Sequence, residues 1–170
     1  MKKVFTLLFA IALLSSCEDN LEPIEVTASI SITESVAVNI PQTTGTPVSY
    51  DETATQDLNQ LISNLNSVTA ININALSYTY TNVTGNTNAV IQSASVVING
   101  FTVASISNVN IGQEANTAIA ITDTAVLDQI EALLLNDPTV IIQFVGTALS
   151  DDGSIDFDVE FSVSLTITLQ

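Results

Sequence analysis

The stretch Ile155-Asp156-Phe157-Asp158-Val159-Glu160-Phe161-Ser162-Val163-Ser164-Leu165-Thr166-Ile167-Thr168-Leu169 alternates without a break. Ile155, Phe157, Val159, Phe161, Val163, Leu165, Ile167 and Leu169 fall on one side. Asp156, Asp158, Glu160, Ser162, Ser164, Thr166 and Thr168 fall on the other. Successive side chains of a strand point to opposite faces, so this period of two predicts a long strand with one dry and one wet face.

Working back along the chain, Ser150-Asp151-Asp152-Gly153-Ser154 reads as a turn and Thr139 to Leu149 as a strand. Asp123 opens an amphipathic helix whose apolar face is Val126, Leu127, Ile130, Leu133 and Leu134, closed by Asn136-Asp137-Pro138. Val109 to Ile121 predicts one or two weaker strands. Asn99-Gly100 joins the strand Val90–Ile98 to Phe101-Thr102-Val103 as a hairpin, because both central residues of such a turn need positive φ. Gly85-Asn86 is a turn. Val68 to Val83 is strand-like, with a phase change that predicts a bulge near Asn74-Ala75.

Leu58, Leu61, Ile62 and Leu65 share one helical face behind Asp51, Glu52 and Asp57, which predicts a helix over 52–66. Pro41 to Pro47 is a loop. Val26 to Ile40 alternates again, and Glu34 on its apolar side predicts a bulge or a break into two strands. Each predicted helix precedes a long strand, and Leu65-Asn66-Ser67-Val68-Thr69-Ala70-Ile71 resembles Leu135-Asn136-Asp137-Pro138-Thr139-Val140-Ile141, which hints at an αβ duplication. Strand runs joined by hairpins predict a mainly β chain, an antiparallel β-sandwich or curved barrel with two short amphipathic helices. One domain, 26–170, fits the length, with nearly half the chain apolar for one core.

The charge balance is severe: eighteen Asp and Glu against two basic residues, Lys2 and Lys3, and no His. Met1-Lys2-Lys3, the apolar run Val4 to Leu14 and the small residues Ser15 and Ser16 form the three parts of a secretory signal over 1–16. An eleven-residue helix covers about 16 Å, half of a bilayer core, too little for a permanent span. Leu14-Ser15-Ser16-Cys17 resembles the lipobox of bacterial lipoproteins, which implies that Cys17 is acylated and becomes the first mature residue. It is the only cysteine, so an internal disulfide is excluded. Two or three acyl chains anchor stably at about 0.8 kcal/mol per buried methylene. Glu18-Asp19-Asn20 resembles the export tag of surface-exposed lipoproteins of the Bacteroidota, which implies an outer-membrane protein on the cell surface rather than on the periplasmic face. Residues 17–25 then serve as the acylated Cys and tether.

Once the signal leaves, no Lys, Arg or His remains. Nucleic-acid binding has no cation to neutralise phosphate, and membrane contact is left to the lipid. His-based triads, a cysteine nucleophile beyond Cys17, and zinc sites built on His or Cys are excluded. Carboxylate-pair hydrolysis would need aromatic platforms, and the chain has no Trp and three Tyr. The expectation is therefore no catalytic residue and no organic cofactor.

Asp151, Asp152, Asp156, Asp158 and Glu160 concentrate carboxylates at one turn and strand, a candidate calcium corner, since calcium takes six to eight oxygens. A solvated turn with charges that block edge pairing explains the same residues. Tyr78 and Tyr80 share a face with Leu76 and read as core-edge residues or, alternatively, a sugar-stacking platform. Asp123-Thr124-Ala125 resembles the short O-glycosylation motif of secreted Bacteroidota proteins, with Thr124 as acceptor; Asp123 as a helix cap accounts for it too. Asn82-Val83-Thr84 matches a common sequon. The expected role is a lipid-anchored binding module for a protein or glycan at the cell envelope, with a structural subunit of a surface assembly or an apolar-ligand carrier as alternatives.

With no side-chain cation in the mature chain, carboxylate repulsion opposes compaction. Sodium chloride should raise the melting midpoint over a chelator buffer, and calcium chloride should raise it further. Three superimposed melting curves would contradict this.

Overall fold

The computed structural model describes residues 26–57, 68–137 and 139–169. Cys17, the tether, residues 58–66 of the expected first helix, and Pro138 lie outside them. Eight strands and two helices follow in order: β1 (Val26–Ile40), β2 (Val48–Asp57), β3 (Val68–Gly85), β4 (Val90–Ile98), β5 (Phe101–Asn110), α1 (Ile111–Glu114), β6 (Ile119–Ala120), α2 (Thr124–Asn136), β7 (Thr139–Leu149) and β8 (Ile155–Leu169). They form two four-stranded antiparallel sheets, β1-β8-β3-β6 and β2-β7-β4-β5. The fold is a β-sandwich, and no barrel closes among the described residues.

The alternating stretch that opened the sequence reading becomes β8, paired on both sides. It meets β1 in unbroken register from Val26↔Leu169 to Ile40↔Ile155. It meets β3 from Val68↔Leu169 to Gly85↔Ile155, with bulges that absorb the odd residues of β3. The inward row Ile155, Phe157, Val159, Phe161, Leu165 and Ile167 is buried. Each such side chain contributes about 1.5–3 kcal/mol by leaving water.

β7 is the corresponding inner strand of the second sheet, between β2 and β4. Aromatic rings bridge the sheets. Tyr50 of β2 stacks on Phe144 of β7 at 5.3 Å, and Phe144 meets Phe157 of β8 edge-on at 6.4 Å. Tyr80 of β3 meets Phe157 edge-on at 5.8 Å. Tyr78 and Tyr80 are thus core residues, 5 % and 0 % exposed, and present no platform to a sugar.

Several expectations hold in detail. Asn99 and Gly100 have φ of 47° and 86° and join β4 to β5 across the pair Ile98↔Phe101. The β3 register shifts between Ile73 and Ala75, at the expected bulge. Asp123 caps α2, its Oδ1 accepting from the Ala125 and Val126 N–H groups at 3.0 and 3.4 Å.

Others need correction. Residues 52–57 are strand, not helix. Ser49, Asp51, Thr53 and Thr55 face out, Tyr50 is buried, and all ten residues of β2 pair with β7. Ladder pairing and the Tyr50–Phe144 stack outweigh the local signal of acidic residues ahead of an apolar helical face. Glu34 makes no bulge: β1 stays in register, and the half-buried Glu34 side chain reaches the rim of an internal cavity. Val109 to Ile121 holds the end of β5, a four-residue helix and the two-residue β6, not full strands. Asn110 starts α1 by accepting from the Gln113 N–H at 3.0 Å. The matched isoleucines of the two similar segments sit in different environments, Ile71 buried and Ile141 46 % exposed.

Gly146 of β7 lies between Tyr50 and Ala94 of the neighbouring strands. A Cβ there would run into the Ser93 carbonyl oxygen and sit 2.7 Å from Tyr50 Oη. Among the described residues the Tyr50 hydroxyl is buried without a hydrogen-bond partner. Urea unfolding should show Gly146→Ala destabilised by about 1–3 kcal/mol. Tyr50→Phe, which removes an unsatisfied polar atom, should be as stable as the parent or more so.

Candidate functional site

Three loops meet at one end of the sandwich. Thr43, in the loop after β1, and Ser150, after β7, are both buried. The Thr43 N–H donates to the Ser150 carbonyl at 3.0 Å, and the Ser150 N–H donates to Thr43 Oγ1 at 2.8 Å. Thr43 Oγ1 in turn donates to Asp151 Oδ1 at 2.6 Å, and the Gly45 N–H donates to the same oxygen at 2.8 Å. Asn86, after β3, donates through Nδ2 to Ser150 Oγ at 3.0 Å. These bonds clasp the Pro41–Pro47 loop to the Asp151 turn. The Thr43 hydroxyl first, and the Gly45 amide second, hold the Asp151 carboxyl below the usual carboxylate range.

From this clasp β8 runs out with its carboxylates on the outer face. Asn39 of β1 donates through Nδ2 to Asp156. Asn82 of β3, at a bulge with φ of 52°, donates through Nδ2 to Asp158 at 2.7 Å. Glu160 is half-buried and stands opposite Ser35 and Thr79. A shallow groove of about 360 Å³ lies here, lined by Asn39, Glu52, Asn82, Asp156 and Asp158 among others. Further along, this face of β8 carries hydroxyls, and Asn74 Nδ2 donates to Thr166 Oγ1 at 2.8 Å.

The structure therefore divides the five residues of the candidate calcium corner. Asp151 belongs to the clasp, Asp152 is exposed in the turn, and Asp156, Asp158 and Glu160 form a row on β8 with separate amide and hydroxyl neighbours. No group of three or more metal-ligating side chains comes together among the described residues. Thr124 is exposed as the first residue of α2, beside its cap Asp123. Cys17 lies outside the described residues.

Sequence reasoning missed the partners. Thr43, Gly45, Asn39 and Asn82 carry no local signal, since they lie 76 to 117 residues from the carboxylates they meet. It also missed Glu131 of α2, whose Oε1 accepts from the Ile73 N–H at 2.6 Å.

At the opposite end, α2 lays Ile130 and Leu134 over the space between the sheets. The cavity beneath, lined by Leu76, Ile98, Ile142 and Phe161 among others, is about 40 Å³. That is near the size of one water molecule, well below the ~300 Å³ at which ligand pockets begin. No helix among the described residues is long and apolar enough to cross a membrane.

Comparison with protein-family models, with curated proteins and with solved structures finds no match to this chain.

A carboxyl held below its ordinary pKa of about 3.9 stabilises the fold above that value and loses the contribution as pH falls through its folded pKa. The contribution of Asp151 should therefore fade below about pH 4. Asp151→Asn should melt below the parent at neutral pH, by a difference that shrinks in acid. Parallel acid profiles for the two proteins would contradict the clasp.

Proposed function

We propose that this chain is an exported, non-catalytic binding module. It hangs from the outer membrane by acyl chains on Cys17, on the cell-surface side, and presents the outer face of β1-β8-β3 to a protein or glycan of the envelope. The observation that supports this reading most is the row Asp156, Asp158 and Glu160 on β8. Buried side chains hold its strand from within, and β1 and β3 hold it on either side. Polar groups on a rigid strand keep their positions, and the ordering cost of binding is small. Carboxylates and side-chain amides side by side offer acceptors and donors to sugar hydroxyls or to a cationic protein surface. Nucleic acid is the partner this chemistry supports least.

The carrier alternative has weaker support, because the space under α2 is small and the rest of the interior is filled by aromatic and aliphatic side chains. The binding reading also fits a residue inventory that leaves only carboxylates, hydroxyls and amides for chemistry.

The test has two arms. Labelled palmitate fed to producing cells should enter the parent chain and not Cys17→Ala; equal labelling would remove the anchor. Envelope proteins and glycans captured on the parent should be released by moderate salt, and should be lost from an Asp156→Asn, Asp158→Asn, Glu160→Gln variant that melts like the parent. Unchanged capture by that variant would move the site elsewhere.

A further inference from the structure

Every open sheet has two edges, and each edge is a row of backbone donors and acceptors that can template another strand. Here the edges are treated differently. Along β3 the groups are used: Ile73 N–H by Glu131, Leu76 C=O by the Ile121 N–H at 2.9 Å, Tyr78 by pairing with Ile119, and Tyr80 C=O by the Asn116 N–H at 2.8 Å. β2 carries Asp51, Glu52 and Asp57. β5 is kinked near both ends, by a register shift at Val96/Val97 of its partner and by Asn108 at φ of 52°.

β1 has none of these devices in its first half. It holds no proline, no positive φ and no register shift over fifteen pairs with β8. β2 runs beside its second half: Glu52 shares a groove with Asn39, and Gln56 shares a cavity with Glu34. Residues 26–33 extend past that neighbour, and no described strand pairs with their outer edge.

We infer that residues 26–33 of β1 pair antiparallel with the same residues of a second copy of this chain, joining two β1-β8-β3-β6 sheets into one continuous sheet through a two-fold axis. The surface is distinct from the carboxylate row, and so is the partner. Charge selects the occupant. Fourteen carboxylates lie within the described residues, yet residues 26–33 contain none, so a cationic strand finds nothing there to recognise. Two copies can approach at this edge without opposing carboxylates. With the two-fold axis at Ser29, Val26 faces Ile32 of the other copy and Glu34 lies beyond the paired residues.

The side chains suit self-pairing. Ser29, Ser31 and Thr33 stand exposed on the outer face, where Ser and Thr form favourable cross-strand pairs. Ile30 and Ile32 are only partly buried against the core, and a second copy would bring its Ala28 and Val26 beside them. A two-fold contact of a strand with itself is the isologous kind that closes at a dimer and does not propagate.

Single cysteines placed on this edge test it in the full chain in intact cells, because Cys17 is the sole native cysteine. Ser29→Cys, Ser31→Cys and Thr33→Cys are made separately, with the parent and Ala37→Cys as controls, and mild oxidant is added. Directly opposed residues across antiparallel strands have Cα atoms about 4.5–5.5 Å apart, within disulfide range. The inference expects a disulfide-linked dimer several-fold above both controls from Ser29→Cys, the position on the axis. Equal dimer from all positions including Ala37→Cys, no dimer from any of the three, or a cross-link only to a different protein would each overturn it.

Discussion

The sandwich depends on one strand having two incompatible faces and satisfying both. β8 buries Ile155, Phe157, Val159, Phe161, Leu165 and Ile167 between the sheets while its other side chains stay in or near water. It can do so because both of its edges are occupied, by β1 and β3, so its backbone groups are bonded along its length. The aromatic bridge through Phe157, Phe144, Tyr80 and Tyr50 then ties this sheet to the other. A one-residue slip would move the carboxylates inward and the aromatic rings outward, which fixes the register strongly.

The second constraint is the lack of cations. Among the described residues there is no Lys, Arg or His, so no side-chain ion pair forms and the carboxylates find other partners. Asp151 takes a hydroxyl and a backbone amide, Asp156 and Asp158 take asparagine amides, Asp123 takes a helix N-terminus, and Glu131 takes a strand-edge amide. Neutral donors satisfy a carboxylate without cancelling its charge. The described part of the molecule therefore keeps a strongly negative surface.

Where local pattern and tertiary environment agree, the chain could be read directly. β8 follows from period two, the Asn99-Gly100 hairpin from its need for positive φ, and the start of α2 from Asp123. Where they disagree, reading failed. β2 places Glu52 and Gln56 on its inward side, where the alternation signal vanishes, and only pairing with β7 makes it a strand. α1 and β6 are too short to carry a period and exist because they cover the edge of β3. The candidate site was half visible for the same reason. Its carboxylate row is periodic in sequence, while the amides and hydroxyls that hold it come from strands distant in sequence and carry no pattern of their own.

If β8 is the element on which both faces depend, its backbone amides open only when the whole domain unfolds. Native-state hydrogen exchange read residue by residue tests that most directly. The amides from Phe157 to Ile167 should be among the slowest in the molecule and report the global unfolding free energy, well behind those of the edge strand β5. Exchange in β8 as fast as in β5 would contradict the account.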